Sequence, residues 1–199
     1  VTLANTPTLD YLLANYPSTR LKAHGTAVGL PEDSDMGNSE VGHNALGCGQ
    51  VYSQGAKLVN ESIESGKIYS SATWTNVVNN VKEHNSTLHF MGLLSDGNVH
   101  SNISHLLSML RASKAQGVKN VRVHIMLDGR DVPATSALTY VEQLETVSNE
   151  LNDENFNAMI ASGGGRMKIT MDRYEANWGM VEAGWKTHVL GLGRQFATA

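Results

Sequence analysis

The chain has one cysteine, Cys48, among its 199 residues. A disulfide within the chain is therefore excluded, and a reducing compartment such as the cytoplasm is expected. No base stands in an obvious motif with Cys48. We therefore interpret it as a small buried residue and not as a thiolate nucleophile.

Long apolar runs and basic residues are also scarce. No apolar stretch approaches the ~20 residues that a membrane helix needs, and the residues after Val1 lack the pattern of a signal peptide. Lys and Arg number 15 against 19 Asp and Glu, which gives a formal net charge of −4. This charge argues against nucleic-acid and membrane partners, so any anionic ligand must be held by a local basic cluster. We expect a monomer that binds a small molecule.

Hydrophobic residues make up 41% of the chain and charged residues 17%, which favours a folded core over disorder. From about residue 73 the sequence alternates between helical periodicity and short apolar strands. The predicted helices are 74–84, 103–116, 136–151 and 171–185, and the predicted strands are 88–94, 121–127 and 158–161. This alternation indicates right-handed crossovers and a mainly parallel sheet, which is an α/β fold.

The first 65 residues have weaker patterns. We predict a helix over residues 8–15, with Leu9, Leu12 and Leu13 as core residues, and a strand near residues 26–28. A helical pattern returns over residues 51–65. Residues 30–49, between this predicted strand and the second helical pattern, are rich in glycine and polar side chains.

Ser39 stands in that polar segment, in the run Gly-Asn-Ser-Glu-Val-Gly-His. A serine among glycines is a candidate nucleophile if another group lowers the cost of losing its proton. The spacing is one residue longer than the Gly-x-Ser-x-Gly elbow of hydrolases, so that motif does not apply. A structural alternative is that Ser39 caps a helix.

Polar residues follow each predicted strand, where parallel sheets place their ligands. These loops are residues 95–101, 128–131 and 162–166, with Arg173 shortly after the third. Arg130, Arg166 and Arg173 carry planar donor forks suited to phosphate or carboxylate. Asp131 could accept a hydrogen bond from a hydroxyl group, and His100 could donate to phosphate or transfer a proton. The three loops together predict an anion site.

Other ligand classes are disfavoured. The chain has no P-loop lysine motif and no Gly-x-Gly-x-x-Gly after a strand, which argues against a nucleotide. His84, His89 and His124 lie within helix or strand patterns and are interpreted as core or surface residues. No histidine or cysteine spacing matches a structural zinc site.

Several segments in this order resemble the motifs of the cofactor-independent (2,3-bisphosphoglycerate-independent) phosphoglycerate mutase family. They are residues 35–44, 92–101, 128–131, 162–166 and 171–174, and the resemblance extends from about residue 6 to residue 194. It implies that residues 1–53 are the incomplete N-terminal part of an alkaline phosphatase-like α/β domain. Residues 54–199 would then be most of an inserted α/β transferase domain that binds the substrate.

The resemblance also implies an activity. The family interconverts 3-phosphoglycerate and 2-phosphoglycerate in glycolysis and gluconeogenesis, through a phosphoserine and without 2,3-bisphosphoglycerate. Ser39 would be the catalytic nucleophile and also a ligand of one of two Mn²⁺ ions, with Co²⁺ as a possible substitute, which would stabilise its alkoxide. The residues implied to hold the substrate are His100, Arg130, Asp131, Arg166 and Arg173.

Some features depart from the family pattern. Most of the family's metal ligands would lie before Val1 or after Ala199, so we expect a piece of a longer protein that is inactive alone. Asn98 stands where the family usually has glycine. Two alternatives stay open: a metal-dependent phosphatase of the same superfamily, and a non-catalytic domain that binds a phosphorylated metabolite.

Overall fold

The computed structural model describes residues 3–198, and a three-stranded parallel sheet lies at its centre. Its strands are β1 (Thr87–Leu94), β2 (Asn120–Leu127) and β3 (Asn157–Gly165), in the order β1-β2-β3. Parallel neighbours require a crossover, and helices provide both of them: α6 (Ile103–Ala115) after β1, and α7 (Ala137–Leu151) after β2. The predicted α/β fold with a parallel sheet is confirmed.

The main core lies on one face of this sheet. Successive strand residues point to opposite faces, so that Val121, Val123 and Ile125 of β2 are all buried on the same side. Leu110 of α6 and Leu144 of α7 are fully buried against this layer. Because all three strands run parallel, their carboxyl ends lie at one edge of the sheet.

Shorter helices make up the rest of the described chain. They are α1 (Pro7–Asn15), a 3₁₀ helix (Gly25–Val28), α2 (Ser39–Cys48), α3 (Ala56–Glu64), α4 (Lys67–Ser70), α5 (Ala72–Glu83) and α8 (Trp178–His188). Val28, Leu30 and Val41 form a small buried cluster of their own. The division at residues 53 and 54 stays a prediction. In residues 3–198 no helix has the length and apolar character to cross a membrane.

The opposite face of the sheet carries a row of histidines. His89 Nδ1 lies 2.9 Å from His124 Nε2, and His124 Nδ1 lies 2.6 Å from the hydroxyl of Ser162. That hydroxyl is 2.7 Å from His188 Nδ1, which ties α8 to the sheet. Burial lowers the pKa of His188; burial and the neighbouring histidines lower the pKa of His124.

Several sequence predictions about local structure were wrong. Residues 26–28 form part of the 3₁₀ helix and not a strand, and residues 51–55 lie outside any helix. β3 continues through Gly165, because backbone groups of the glycines pair with β2 although they have no side chain to show alternation. The last helix begins at Trp178, where Asn177 caps it by accepting a hydrogen bond from the N–H of Met180 at 3.1 Å.

Two predictions of burial were also wrong. Cys48 is exposed at the end of α2. Leu9, Leu12 and Leu13 lie on α1, none of whose residues is buried. Helical spacing indicates which residues share a face, but it does not determine whether another element covers that face.

Candidate functional site at the carboxyl edge of the sheet

Asp128 joins the ends of all three strands. It follows β2 directly and is only 8% exposed. Its carboxylate accepts hydrogen bonds from the hydroxyl of Ser95 at 2.6 Å and from Nη1 of Arg166 at 2.8 Å. The backbone N–H groups of Arg130 and Asp131 also donate to it, each at 3.1 Å. Since Ser95 follows β1 and Arg166 follows β3, this carboxylate fixes the positions of all three loops.

Arg166 is the buried cation of the site, with 4% of its surface exposed. Its Nη1 also donates to Asp131 at 2.7 Å. Its Nε is buried and has no hydrogen-bond partner among the described residues. Both carboxylates contact Nη1, so neither of them uses the Nε–Nη2 edge of the planar fork.

Charge pairing sets the protonation state of this cluster. Burial alone would raise the pKa of Asp128, but hydrogen bonds from Ser95, Asp131, Arg166 and Arg130 outweigh burial, and the pKa lies below its ordinary value. Burial alone would lower the pKa of Arg166, but Asp131 and Asp128 outweigh it, and this pKa is raised. Asp128 is therefore a carboxylate and Arg166 a guanidinium at neutral pH.

The loops after β1 and β2 also touch each other. A Cβ atom on Gly97 would lie 3.0 Å from Cβ of Asp131, so that a larger residue would push the loops apart. Beside this contact the hydroxyl of Tyr140 donates to Asp96 at 2.5 Å. The loop that contains His100 is therefore anchored to the loop that contains Arg130 and Asp131.

Ser39 is the first residue of α2, and its side chain is exposed. The helix is capped by Asn38, whose side chain accepts from the N–H of Val41 at 3.1 Å. The capping role considered for Ser39 is thus wrong, and its hydroxyl is not used as a cap. Gly37 is needed for the tight approach before it, because a Cβ there would overlap the carbonyl oxygen of Ala23.

His43 is a titratable neighbour of Ser39 on the next turn of α2. Its Nδ1 lies 2.7 Å from the Ser39 carbonyl oxygen and 3.1 Å from the Ser39 hydroxyl. A carbonyl oxygen can only accept, so Nδ1 must carry the proton that it donates there. The same nitrogen cannot take a proton from Ser39, and His43 is not its general base in this arrangement.

The predicted substrate residues are only partly brought together. Arg166 and Asp131 are in contact, and Arg130 belongs to the same turn with an exposed side chain. His100 is exposed, and Arg173 lies over the ring of Tyr174 at 5.0 Å. In residues 3–198 no hydrogen bond or ion pair links His100 or Arg173 to the buried pair. Their roles stay predictions, as does that of Ser39.

Most of the chain is similar to a known protein family. A family model described as "BPG-independent PGAM N-terminus (iPGM_N)" matches residues 59–199, which is more than half of the chain. The chain belongs to the 2,3-bisphosphoglycerate-independent phosphoglycerate mutase family. The resemblance noted in the sequence is therefore confirmed.

Relatives from several groups of organisms are similar to this mutase-family chain over nearly its whole length. A probable 2,3-bisphosphoglycerate-independent phosphoglycerate mutase of Leptospira interrogans is 54% identical over 196 residues. The 2,3-bisphosphoglycerate-independent phosphoglycerate mutase of Trypanosoma brucei brucei is 50% identical over 200 residues. Leishmania mexicana phosphoglycerate mutase, in crystal structures at low cobalt concentration, is 48% identical with a TM-score of 0.88 over 99% of this chain. The chain spans 36% of each of these relatives.

The metal site of the mutase family is not complete in the described residues. Residues 3–198 contain no group of three or more His, Cys, Asp or Glu side chains that could hold a metal ion. The exposed hydroxyl of Ser39 suits one ligand, but it is one donor where several are needed. This part of the chain therefore does not fit a metal site by itself.

Ser95 and Asp128 belong to the sequence motifs, but the motifs do not single them out. A polar residue directly after an apolar strand was the signal available for both. Their importance depends on burial, which makes an unpaired carboxylate or hydroxyl costly. In this mutase-family chain they connect residues that the sequence places on three separate loops.

Proposed function

We propose that this chain supplies the substrate cradle and the nucleophile of a phosphoglycerate mutase that interconverts 3-phosphoglycerate and 2-phosphoglycerate. The observation that supports this proposal most strongly is the buried guanidinium of Arg166. Asp128 and Asp131 both accept from its Nη1, while its Nε has no hydrogen-bond partner among residues 3–198. A fork held in this way is pre-oriented for a phosphate or carboxylate, which reduces the ordering cost of binding.

The roles proposed for the other residues follow from their positions. Arg130 is exposed in the turn that Asp128 holds, and it would add a second positive charge. Asp131 uses Oδ2 for Arg166, so Oδ1 could accept from a glycerate hydroxyl. His100 and Arg173 would complete the cradle from the loops after β1 and β3. We assign substrate binding to these five residues together.

The proposed reaction has two balanced steps. The Ser39 hydroxyl loses its proton and its oxygen attacks phosphorus of the bound ester. The bond to the C3 oxygen breaks, and that oxygen takes up a proton. The glycerate stays held and presents its C2 hydroxyl, whose oxygen attacks the phosphoserine and loses its proton. Ser39 regains its hydroxyl. The glycerate stays bound between the two steps because the cradle residues hold it in position. This retention distinguishes a mutase from a phosphatase.

The remaining features of the proposal concern the whole protein. Two Mn²⁺ ions, which Co²⁺ could replace, would neutralise charge at the transferred group, with Ser39 the one ligand from this chain. Residues 1–53 would belong to the phosphatase-like domain and residues 54–199 to the transferase domain. We propose a cytoplasmic monomer that acts without 2,3-bisphosphoglycerate, nucleic acid or membrane. The 199-residue chain alone would be inactive.

The test uses the full-length protein with 3-phosphoglycerate and no 2,3-bisphosphoglycerate. We expect 2-phosphoglycerate as product, and mass spectrometry of rapidly quenched enzyme should find phosphate on Ser39. Ser39→Ala should abolish both signals, while Ser34→Ala, a nearby exposed serine, should leave both unchanged. Absence of mutase turnover in the wild type would refute the proposal.

The same quenched samples separate the alternatives. Transfer of the phosphate from Ser39 to glycerate supports a mutase, whereas transfer to water with release of inorganic phosphate supports a phosphatase. Binding of 3-phosphoglycerate without phosphoserine supports a non-catalytic domain. Calorimetry on Arg166→Lys, which keeps the charge and removes the planar fork, should show weaker binding in either enzymatic case.

A further inference from the structure

Asn98 has a backbone conformation that favours glycine. Its φ is +58°, in the left-handed region, and its N–H donates to the carbonyl of Ser101 at 3.1 Å. Asparagine is among the few other residues that adopt this conformation readily. This turn leads directly to His100. Asparagine is therefore compatible with this backbone conformation.

What asparagine adds is a side chain, and it connects two distant segments. Its Nδ2 donates to Asp35 Oδ1 at 2.8 Å, across 63 positions of sequence. Its Oδ1 accepts from Nδ2 of Asn102 at 2.7 Å, and Asn102 caps α6 by accepting from the N–H of Ser104. The amide of Asn98 is thus oriented from one side by a helix cap.

Asp35 is held equally firmly on the other side. Its Oδ2 accepts from the N–H of Glu32 at 2.8 Å, and its carbonyl accepts from the N–H of Gly25 at 3.0 Å. It lies four positions before Ser39 in the segment that leads into α2. A continuous series of polar contacts therefore runs from the cap of α6 to the segment that carries the nucleophile.

We propose that Asn98 is a positioning residue, which holds the Ser39 segment against the His100 loop so that nucleophile and substrate meet. This inference rests on the proposed mutase function. A glycine would make the turn without strain but could not make the link. Because the bond joins an amide to a carboxylate, its loss should lower the population of correctly aligned enzyme about tenfold.

The first variant is Asn98→Gly in the full-length protein, which keeps the backbone conformation and removes only the side-chain contacts. We expect kcat with 3-phosphoglycerate to fall about tenfold while KM stays within about twofold, since the cradle itself is intact. Asn98→Ser is not a suitable substitute, because serine tolerates the left-handed conformation less well.

A reciprocal exchange distinguishes positioning from general loss of structure. Asn98→Asp alone places two carboxylates against each other and should lower kcat at least as much as Asn98→Gly. Adding Asp35→Asn restores an amide-to-carboxylate bond in the opposite direction, and the oxygen of the amide introduced at position 35 can still accept from the N–H of Glu32. The double variant should recover most of kcat.

The outcomes separate the two proposals. A wild-type protein without mutase activity would overturn the proposed function and this inference with it. An active wild type whose kcat is unchanged by Asn98→Gly, or whose exchanged double variant is no better than Asn98→Asp, would overturn the inference alone. Hydrogen exchange over residues 32–39 should rise in Asn98→Gly and return in the double variant.

Discussion

Removal of the Asp128 carboxylate should loosen the whole carboxyl edge of the sheet. The side chains of Asp128 and Arg166 are 1% and 5% exposed, so that Asp128→Ala leaves a buried guanidinium with one carboxylate fewer. Loss of one partner of a buried ion pair costs about 3–5 kcal/mol. Arg166 keeps Asp131, whose side chain is 13% exposed, so we expect the lower end, about 3 kcal/mol.

Amide hydrogen exchange in the full-length protein measures this effect locally. The N–H of Ile103 donates to the carbonyl of Ser95 at 2.7 Å, and the N–H of Arg166 to that of Leu127 at 2.9 Å. Both lie next to groups that Asp128 holds. A loss of about 3 kcal/mol in opening free energy accelerates their exchange by about two orders of magnitude.

The control variant is Glu182→Ala on α8. Glu182 and Lys186 form an ion pair of similar length, 2.6 Å, but their side chains are 63% and 50% exposed. Water already solvates both charges, so no measurable change in exchange is expected. Unchanged protection of Ile103 and Arg166 in Asp128→Ala would show that Asp128 does not hold the three loops together.

Three further predictions concern the core, the nucleophile segment and pH. Leu144→Ala, at a fully buried position, should cost about 2–5 kcal/mol in urea unfolding. Gly37→Ala should reduce Ser39 phosphorylation because its Cβ overlaps the Ala23 carbonyl, whereas Gly42→Ala, with open space around it, should not. The folded-state pKa values of His124 and His188 lie below the ordinary value of 6.5, so the unfolded state binds more protons as the pH falls. The free energy of unfolding should therefore decrease as the pH drops below 6.5. Amide hydrogen exchange in α8 should rise over the same range.

The sheet was predictable because its signal is simple. In β2 the apolar residues Val121, Val123 and Ile125 alternate with the polar residues Arg122 and His124, which is the period of a strand. The predicted bounds of β1, β2 and α6 differ from the observed ones by one residue at most. The same reasoning ended β3 too early, at residue 161, because three glycines follow. Without side chains they show no alternation, although their backbone pairs with β2 after a register shift between Val123 and His124.

The site was predictable only in outline. Strand order and parallel pairing imply that Asp131 and Arg166 share an edge, and they are in contact. No sequence pattern reveals that Asp128 is buried, because that depends on how closely three loops pack. His100 and Arg173 lie on exposed segments whose direction is not fixed by the sheet. Family resemblance gave them a role but could not give them a position.

The capping of α2 by Asn38 would affect the proposed phosphoserine intermediate. Asn38 satisfies the N–H of Val41, so that the oxygen of Ser39 can carry a phosphoryl group without uncapping the helix. A dianion esterified there would sit at the positive end of the helix dipole, beside amide hydrogens that have no carbonyl of their own. The first turn of α2 would thus be more stable in the phosphoserine form than in the form with a free Ser39 hydroxyl. The helix dipole would help to stabilise the phosphoserine until the phosphate is transferred to the C2 oxygen.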